Sequence, residues 1–260
     1  MTQVRWVTPF LETRTPVRYR DAVSTLQRSL LGGGEVRVDE HARFERIELD
    51  ETAWIDVARG WLRGSDTLLD ALVDTVDWKQ GRRRMYDRVL DDPRLSRWYR
   101  RTDPLPDPAL AVIGEALDTR LGVPLAGPAM NFYRDGADSV AWHADRELRD
   151  LDDTRIAIVT LGAQRPFLIR PKGGGRSRNL APAGGDLLVM GGGCQLRWEH
   201  SVPKTRSAGP RISCSWRWSR TVETITPRLR PPALQRPRDS SRKPGPPDLR
   251  LATRPAAPSG

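Results

Sequence analysis

Few residues in this chain have the types and spacing needed for metal chemistry. The 260-residue sequence holds three histidines. One of them, His143, lies in the stretch from Asn131 to Glu147 and is followed two positions later by Asp145. On an extended backbone, residues i and i+2 project from the same side, so this imidazole and carboxylate can close on one ion. Two ligands hold iron too loosely for oxygen chemistry, and a third must come from elsewhere. His41 lies far upstream, which leaves His200. Two histidines and one carboxylate on one face of an octahedral ion suit Fe(II) and leave three positions open for a cosubstrate and O2.

The elements that must position these groups follow from periodicity and turn chemistry. From Pro128 onward the pattern predicts short strands separated by glycine-containing turns: Ala129–Tyr133, Arg155–Leu161, Phe167–Arg170, Asp186–Met190, Gln195–Trp198 and Arg211–Arg220. Many short strands with turn signals imply a sandwich or barrel. Gly173 to Gly175 reads as a hairpin tip, because neither a Lys-Ser/Thr pair nor a helix follows it. Upstream, Leu68, Leu69, Leu72, Val73 and Val76 form one apolar stripe of a helix that Ser65 or Asp66 can cap. A second helix starts with Asp107 as N-cap and Pro108 in the first turn, carries Leu110, Ile113, Leu117 and Leu121 on one face, and stops at Gly122. Weaker signals suggest a helix over 20–31 and strand-like alternation from Phe44 to Leu49. The expected class is α+β, mainly β, with N-terminal helical and lid elements around a barrel.

The formal charge of +10 and sequence pI near 10.5 suggest an anionic partner, and the location of the charge matters more than its sum. Residues 227–260 hold eight basic and two acidic residues and nine prolines, so +6 of the +10 belongs to a Pro/Arg-rich tail. With so little to bury, that tail is expected to be disordered. A second basic stretch, Arg82 to Arg101, has eight arginines against three aspartates, with Tyr86, Trp98 and Tyr99 interspersed. Arginine neutralises phosphate and aromatic rings stack on unpaired bases, so this composition suits a single-strand or flipped-base binder. Cys194 and Cys214 are the only cysteines, too few for a disulfide framework. No long apolar run or signal peptide is evident, so the expectation is a cytoplasmic monomer with no membrane attachment.

Around His143-x-Asp145 stand Asn131-x-Tyr133-x-Asp135-Gly136-x-Asp138, then Gly185 to Gly192, Trp198-x-His200-Ser201-x-Pro203, and Arg211 with Arg217. In this order the blocks resemble the AlkB family of Fe(II)- and 2-oxoglutarate-dependent dioxygenases, over roughly Pro128 to Ser219, with a looser echo at Arg94 to Tyr99. The resemblance implies a double-stranded β-helix (jelly-roll) core at 128–220, a substrate lid and helical support at 1–127, and a single catalytic domain over 1–226. It also implies Fe(II) on His143, Asp145 and His200, and 2-oxoglutarate and O2 as cosubstrates. Arg211, assisted by Tyr133, would take the distal carboxylate, and Arg217, assisted by Asn131, would act near the metal. Ser213 would stand at a cosubstrate position where the family usually places asparagine. Glu147 holds an acidic position near the substrate base. Trp98, Tyr99, Arg94 and Arg97 are the candidate substrate contacts.

The implied activity is oxidative demethylation of N-alkylated bases in nucleic acid, most simply DNA repair of 1-methyladenine and 3-methylcytosine lesions on single-stranded or flipped-out bases. The alternative is a 2-oxoglutarate-dependent hydroxylase of a protein or small molecule, for which the basic aromatic stretch would be irrelevant.

Overall fold

The computed structural model describes residues 33–85 and 88–219. The helical candidate over 20–31, Tyr86 and the tail at 227–260 lie outside them. In chain order the elements are β1 (Arg37–Val38), β2 (Phe44–Glu48), β3 (Ala53–Ala58), β4 (Leu62–Arg63), α1 (Ser65–Thr75), β5 (Lys79–Met85), β6 (Arg88–Trp98) and α2 (Ala109–Leu121). There follow β7 (Ala129–Tyr133), β8 (Val140–His143), β9 (Thr154–Gly162), β10 (Leu168–Pro171), β11 (Arg178–Asn179), β12 (Leu187–Gly192), α3 (Cys194–Arg197), β13 (Trp198–Val202) and β14 (Arg211–Ser219).

Two antiparallel sheets face each other as a jelly roll. The major sheet runs β2-β3-β12-β9-β14-β7-β6-β5 and the minor sheet β11-β10-β13-β8. β1 and β4 form a separate two-stranded ladder. The alternation of side chains along each strand divides the core in two. Leu187, Val189, Ala157, Val159, Leu161, Ile212, Cys214 and Trp216 join Leu68, Leu72, Leu110, Ile113 and Leu117 of α1 and α2 on one face. Ile55, Val57, Ile156, Ile158, Leu188 and Met190 pack with Phe167, just before β10, and with Ile169 and Val202 of the minor sheet on the other. β9 is buried on both faces, which explains its nearly unbroken apolar run.

Three sequence expectations need correction. Neither Ser65 nor Asp66 caps α1: Gly64 takes the N-cap in a left-handed conformation, and the Ser65 side chain is buried. Asp107 does accept a hydrogen bond from the Ala109 amide at 2.8 Å, but Pro108 rather than Asp107 is the N-cap of α2. Residues 194–197 form the short helix α3 instead of a strand, and β13 begins only at Trp198. The basic stretch at 82–101 supplies much of β5 and β6 at one edge of the major sheet. β6 pairs with β7, with Ser96 opposite Asn131, and β2 and β3 join the opposite side of the same sheet. Long-range pairing of this kind leaves no local signature.

The glycine block before α3 has a packing reason. Gly191 pairs with both Trp54 and Arg155 across neighbouring strands. The Trp54 indole lies across this glycine, with the Arg46 guanidinium 3.9 Å and that of Arg155 5.2 Å from ring centroids. A Cβ at Gly191 would overlap the indole. Gly191→Ala should therefore destabilise the fold by about 1–3 kcal/mol, seen as a lower urea midpoint at unchanged slope. A wild-type midpoint would show that the indole can move aside at no cost.

Candidate metal and cosubstrate site

The pairing of β13 with β8 sets His200 directly opposite His143. Their rings lie 4.2 Å apart between centroids. Asp145 follows two residues beyond His143, and its Oδ1 lies 3.8 Å from His143 Nε2. Donor atoms of His143, Asp145 and His200 all fall within 4.8 Å of one another, the only such group among the described residues. His143 Nδ1 is 2.9 Å from the Ala141 carbonyl, which leaves Nε2 for an ion. Phe167 stacks on His200 at 5.3 Å. Burial, aided by His143, pushes the His200 imidazole down to about 3, so it is neutral and its lone pair is free. Burial alone would raise the Asp145 carboxyl, but Arg217 and the two imidazoles outweigh it and hold the group at about 2. Two imidazoles and one carboxylate fit divalent iron.

The strand face beside this triad carries the cosubstrate candidates. Along β14 the even-numbered side chains Ile212, Cys214 and Trp216 enter the helix-side core, so Arg211, Ser213, Ser215 and Arg217 share the opposite face. Arg211 is fully buried. One of its nitrogens lies 3.3 Å from Thr160 Oγ1, and its guanidinium is 5.4 Å from the Tyr133 ring centroid. Its Nε and Nη1 are buried with no acceptor among the described residues. Burial draws this guanidinium down to about 10, against the opposing influence of Tyr133. Unmatched buried donors on a cation are costly unless an anion completes them. A carboxylate is the group their planar fork fits.

Arg217 lies beside the metal donors and pairs with one of them. Its Nε donates to Asp145 Oδ2 at 2.6 Å, and its Nη1 donates to Ser215 Oγ at 2.9 Å. The hydroxyl of Ser215 in turn donates to the Ala129 carbonyl. Arg217 thus holds the second oxygen of the metal carboxylate. The expected assistant, Asn131, instead accepts from Arg94 Nε at 2.9 Å. Arg94, expected among the substrate contacts, therefore touches the cosubstrate face. Ser213 lies in register with Asn131 on one side and Thr160 on the other. Glu147 is exposed in the turn after Asp145.

The remaining substrate candidates part company. Trp98, in register with Ala129 and half exposed at 52 %, shares the site face of β6 with Ser96. Arg97 is in register with Met130, on the helix side, and its guanidinium lies 5.5 Å from the Tyr99 ring. Tyr99 packs on the helix-side core, and its amide donates to the Pro128 carbonyl. Alternation across a strand places Trp98 on one face of the sheet and Arg97 on the other.

Sequence reasoning overlooked two buried polar residues at this site. Gln195 accepts a hydrogen bond from the Asp145 amide at 2.7 Å. Arg165 donates to the carbonyls of Asp135, Asp138 and Pro203, which ties together the loops flanking β8 and β13. Neither belongs to a periodic pattern, and their partners are backbone atoms distant in sequence.

Residues 60–230 match the family model described as the 2OG-Fe(II) oxygenase superfamily. The chain is 32% identical over 177 residues to alpha-ketoglutarate-dependent dioxygenase alkB homolog 3 of Mus musculus, covering 60% of this chain and 62% of that protein. The Homo sapiens protein of the same name is 30% identical over equal shares. DNA oxidative demethylase ALKBH2 of Homo sapiens is 32% identical over 126 residues, covering 43% of this chain and 48% of its own. The chain thus spans about three fifths of the length of the first of these relatives. Among solved structures, a prolyl hydroxylase of Trichoplax adhaerens in complex with a peptide of hypoxia inducible factor is similar in fold. It has a TM-score of 0.50 at 12% identity and covers 64% of this chain and 83% of its own.

Proposed function

This chain belongs to the 2OG-Fe(II) oxygenase superfamily, and from that membership we propose that it oxidatively removes N-linked methyl groups from bases in nucleic acid. The observation that carries this reading is the buried Arg211, with two unmatched donors, on the strand face beside the His143, Asp145 and His200 donors. Similarity to proteins named DNA oxidative demethylase supports the substrate class. Fe(II) and 2-oxoglutarate, when bound, would supply the oxidation of a C–H bond by O2, with succinate and CO2 as co-products. Hydroxylation of an N-methyl carbon gives a hemiaminal that releases formaldehyde and the restored base. His143, Asp145 and His200 would hold the metal. Arg217 keeps Asp145 ionised and ties up its Oδ2, so that Oδ1 is presented towards the histidines. Arg211 and Tyr133 would orient the far carboxylate of 2-oxoglutarate.

A base stacked in a duplex cannot reach a site framed by buried strands, so the target is single-stranded or flipped out. Trp98 is the exposed ring on the site face and the group we assign to stack on it; DNA with 1-methyladenine or 3-methylcytosine is the substrate we propose. Trp98→Ala should lower demethylation of a methylated single-stranded oligonucleotide by the equivalent of about 1–3 kcal/mol per lost stack. Conversion of 2-oxoglutarate to succinate without the oligonucleotide should be retained. Tyr99→Ala should lower the melting temperature with little effect on turnover per folded molecule. If loss of Trp98 reduced both reactions in equal proportion, the ring would be a support for the sheet and the substrate assignment would fall.

A further inference from the structure

Asp145 is held at two points, one on its carboxylate and one on its main chain. Its Oδ2 is taken by Arg217, and its Oδ1 faces His143. The second hold is the Asp145 main-chain amide, which donates to Gln195 Oε1 at 2.7 Å. Gln195 is fully buried, and its Nε2 lies 3.9 Å from the sulfur of Met190. It lies on α3, the short turn immediately before the strand that carries His200. That turn is itself clamped to the β2–β3 connection. The Gly193 amide donates to the Thr52 carbonyl at 3.1 Å. Arg197 and the Trp198 indole both donate to the Asp50 carboxylate, at 2.9 Å and 2.7 Å. Arg197 first, with Trp198 and two backbone amides, holds that carboxyl far below its ordinary range against the opposing effect of burial.

We propose that Gln195 is a positioning residue for the metal site, fixing the backbone of Asp145 so that its carboxylate meets the two imidazoles. The inference rests on the metal reading given above. A ligand on a loop has rotational freedom that one side-chain ion pair does not remove. Asp145 lies just beyond the end of β8, where no ladder bond restrains its amide. The Gln195 bond supplies that restraint from the element that also leads into His200, so a single clamped turn sets the separation of two ligands. Groups that orient metal ligands typically change metal affinity by about 10–100-fold when removed.

The test uses the metal-free full chain, titrated calorimetrically with Mn(II), which binds such sites without turning over. Gln195→Met keeps the length and removes the amide acceptor, and Gln195→Asn keeps the amide but falls one methylene short. Both should weaken Mn(II) binding about 10–100-fold. Gln195→Glu retains an acceptor oxygen at full reach in either protonation state and should bind like the wild type. Unchanged Mn(II) affinity in the Met or Asn variant overturns the proposal, whatever happens to the melting temperature of the metal-free protein. So does a Glu variant as weak as the Met variant, because an acceptor would then be irrelevant. Wild-type protein that binds no Mn(II) would instead overturn the metal reading beneath it.

Discussion

Replacing Arg211 by methionine should cost about 2–5 kcal/mol of 2-oxoglutarate binding, the penalty for removing one partner of a buried, hydrogen-bonded charge pair. This corresponds to an affinity on the order of 30-fold to several thousandfold weaker. The distinctive part of the prediction is what happens without ligand. In the free protein, Arg211 is a buried cation whose Nε and Nη1 have no acceptor among the described residues. Methionine removes that desolvated charge and keeps most of the volume. Folding stability should therefore hold or rise, as when buried ionic groups are replaced by apolar ones of similar size. Urea unfolding of the free protein and calorimetric titration of 2-oxoglutarate into Mn(II)-loaded protein would measure the two effects. A variant that binds 2-oxoglutarate normally would move the cosubstrate away from β14. A variant that loses stability and affinity together would make Arg211 a structural residue.

Loss of a metal ligand should be more severe still. Removing a group that merely orients a ligand costs about 10–100-fold in metal affinity, so His200→Ala or Asp145→Ala should exceed that and reduce oxidative turnover to background. Asp145→Ala carries an added cost, because Arg217 loses the acceptor of its Nε at 2.6 Å. Wild-type protein should gain stability on addition of Mn(II) in proportion to RT ln(1 + [L]/Kd). The His200→Ala variant should show no such gain. Metal-dependent demethylation by either variant at the wild-type rate would end the assignment of this triad.

Much of this architecture was legible before any coordinates, for identifiable reasons. The helical stripe Leu68, Leu69, Leu72 is buried as its period demands, and Gly122 ends α2 with φ 65° as an αL cap. β7, β9, β10, β12 and β14 fall close to the segments marked out by apolar runs between turn residues. His143 and Asp145 at i and i+2, with His200 as the third donor, were marked out by the small number of histidines and the coordination preferences of iron, and the resemblance of the surrounding blocks decided for them. These features depend on local periodicity or on residue chemistry, and both are written along the chain.

Tertiary structure alone decided which strands became neighbours, and with them the partners of every polar group in the site. Pairing of β6 with β7 built the basic stretch into the sheet, placed Arg94 on Asn131, and set Trp98 and Arg97 on opposite faces. Arg211 and Arg217, six residues apart on β14, share one face of the sheet. Nothing along the chain, however, says that Asp145, 72 residues before Arg217, would claim the second guanidinium. Gln195 was hidden for the same reason: its partner is a backbone amide 50 residues away, and a buried amide leaves no periodic trace. Local propensity specifies the elements, while register and crossover specify the contacts. The latter depend on distant segments burying their apolar faces together, which no stretch of sequence encodes by itself.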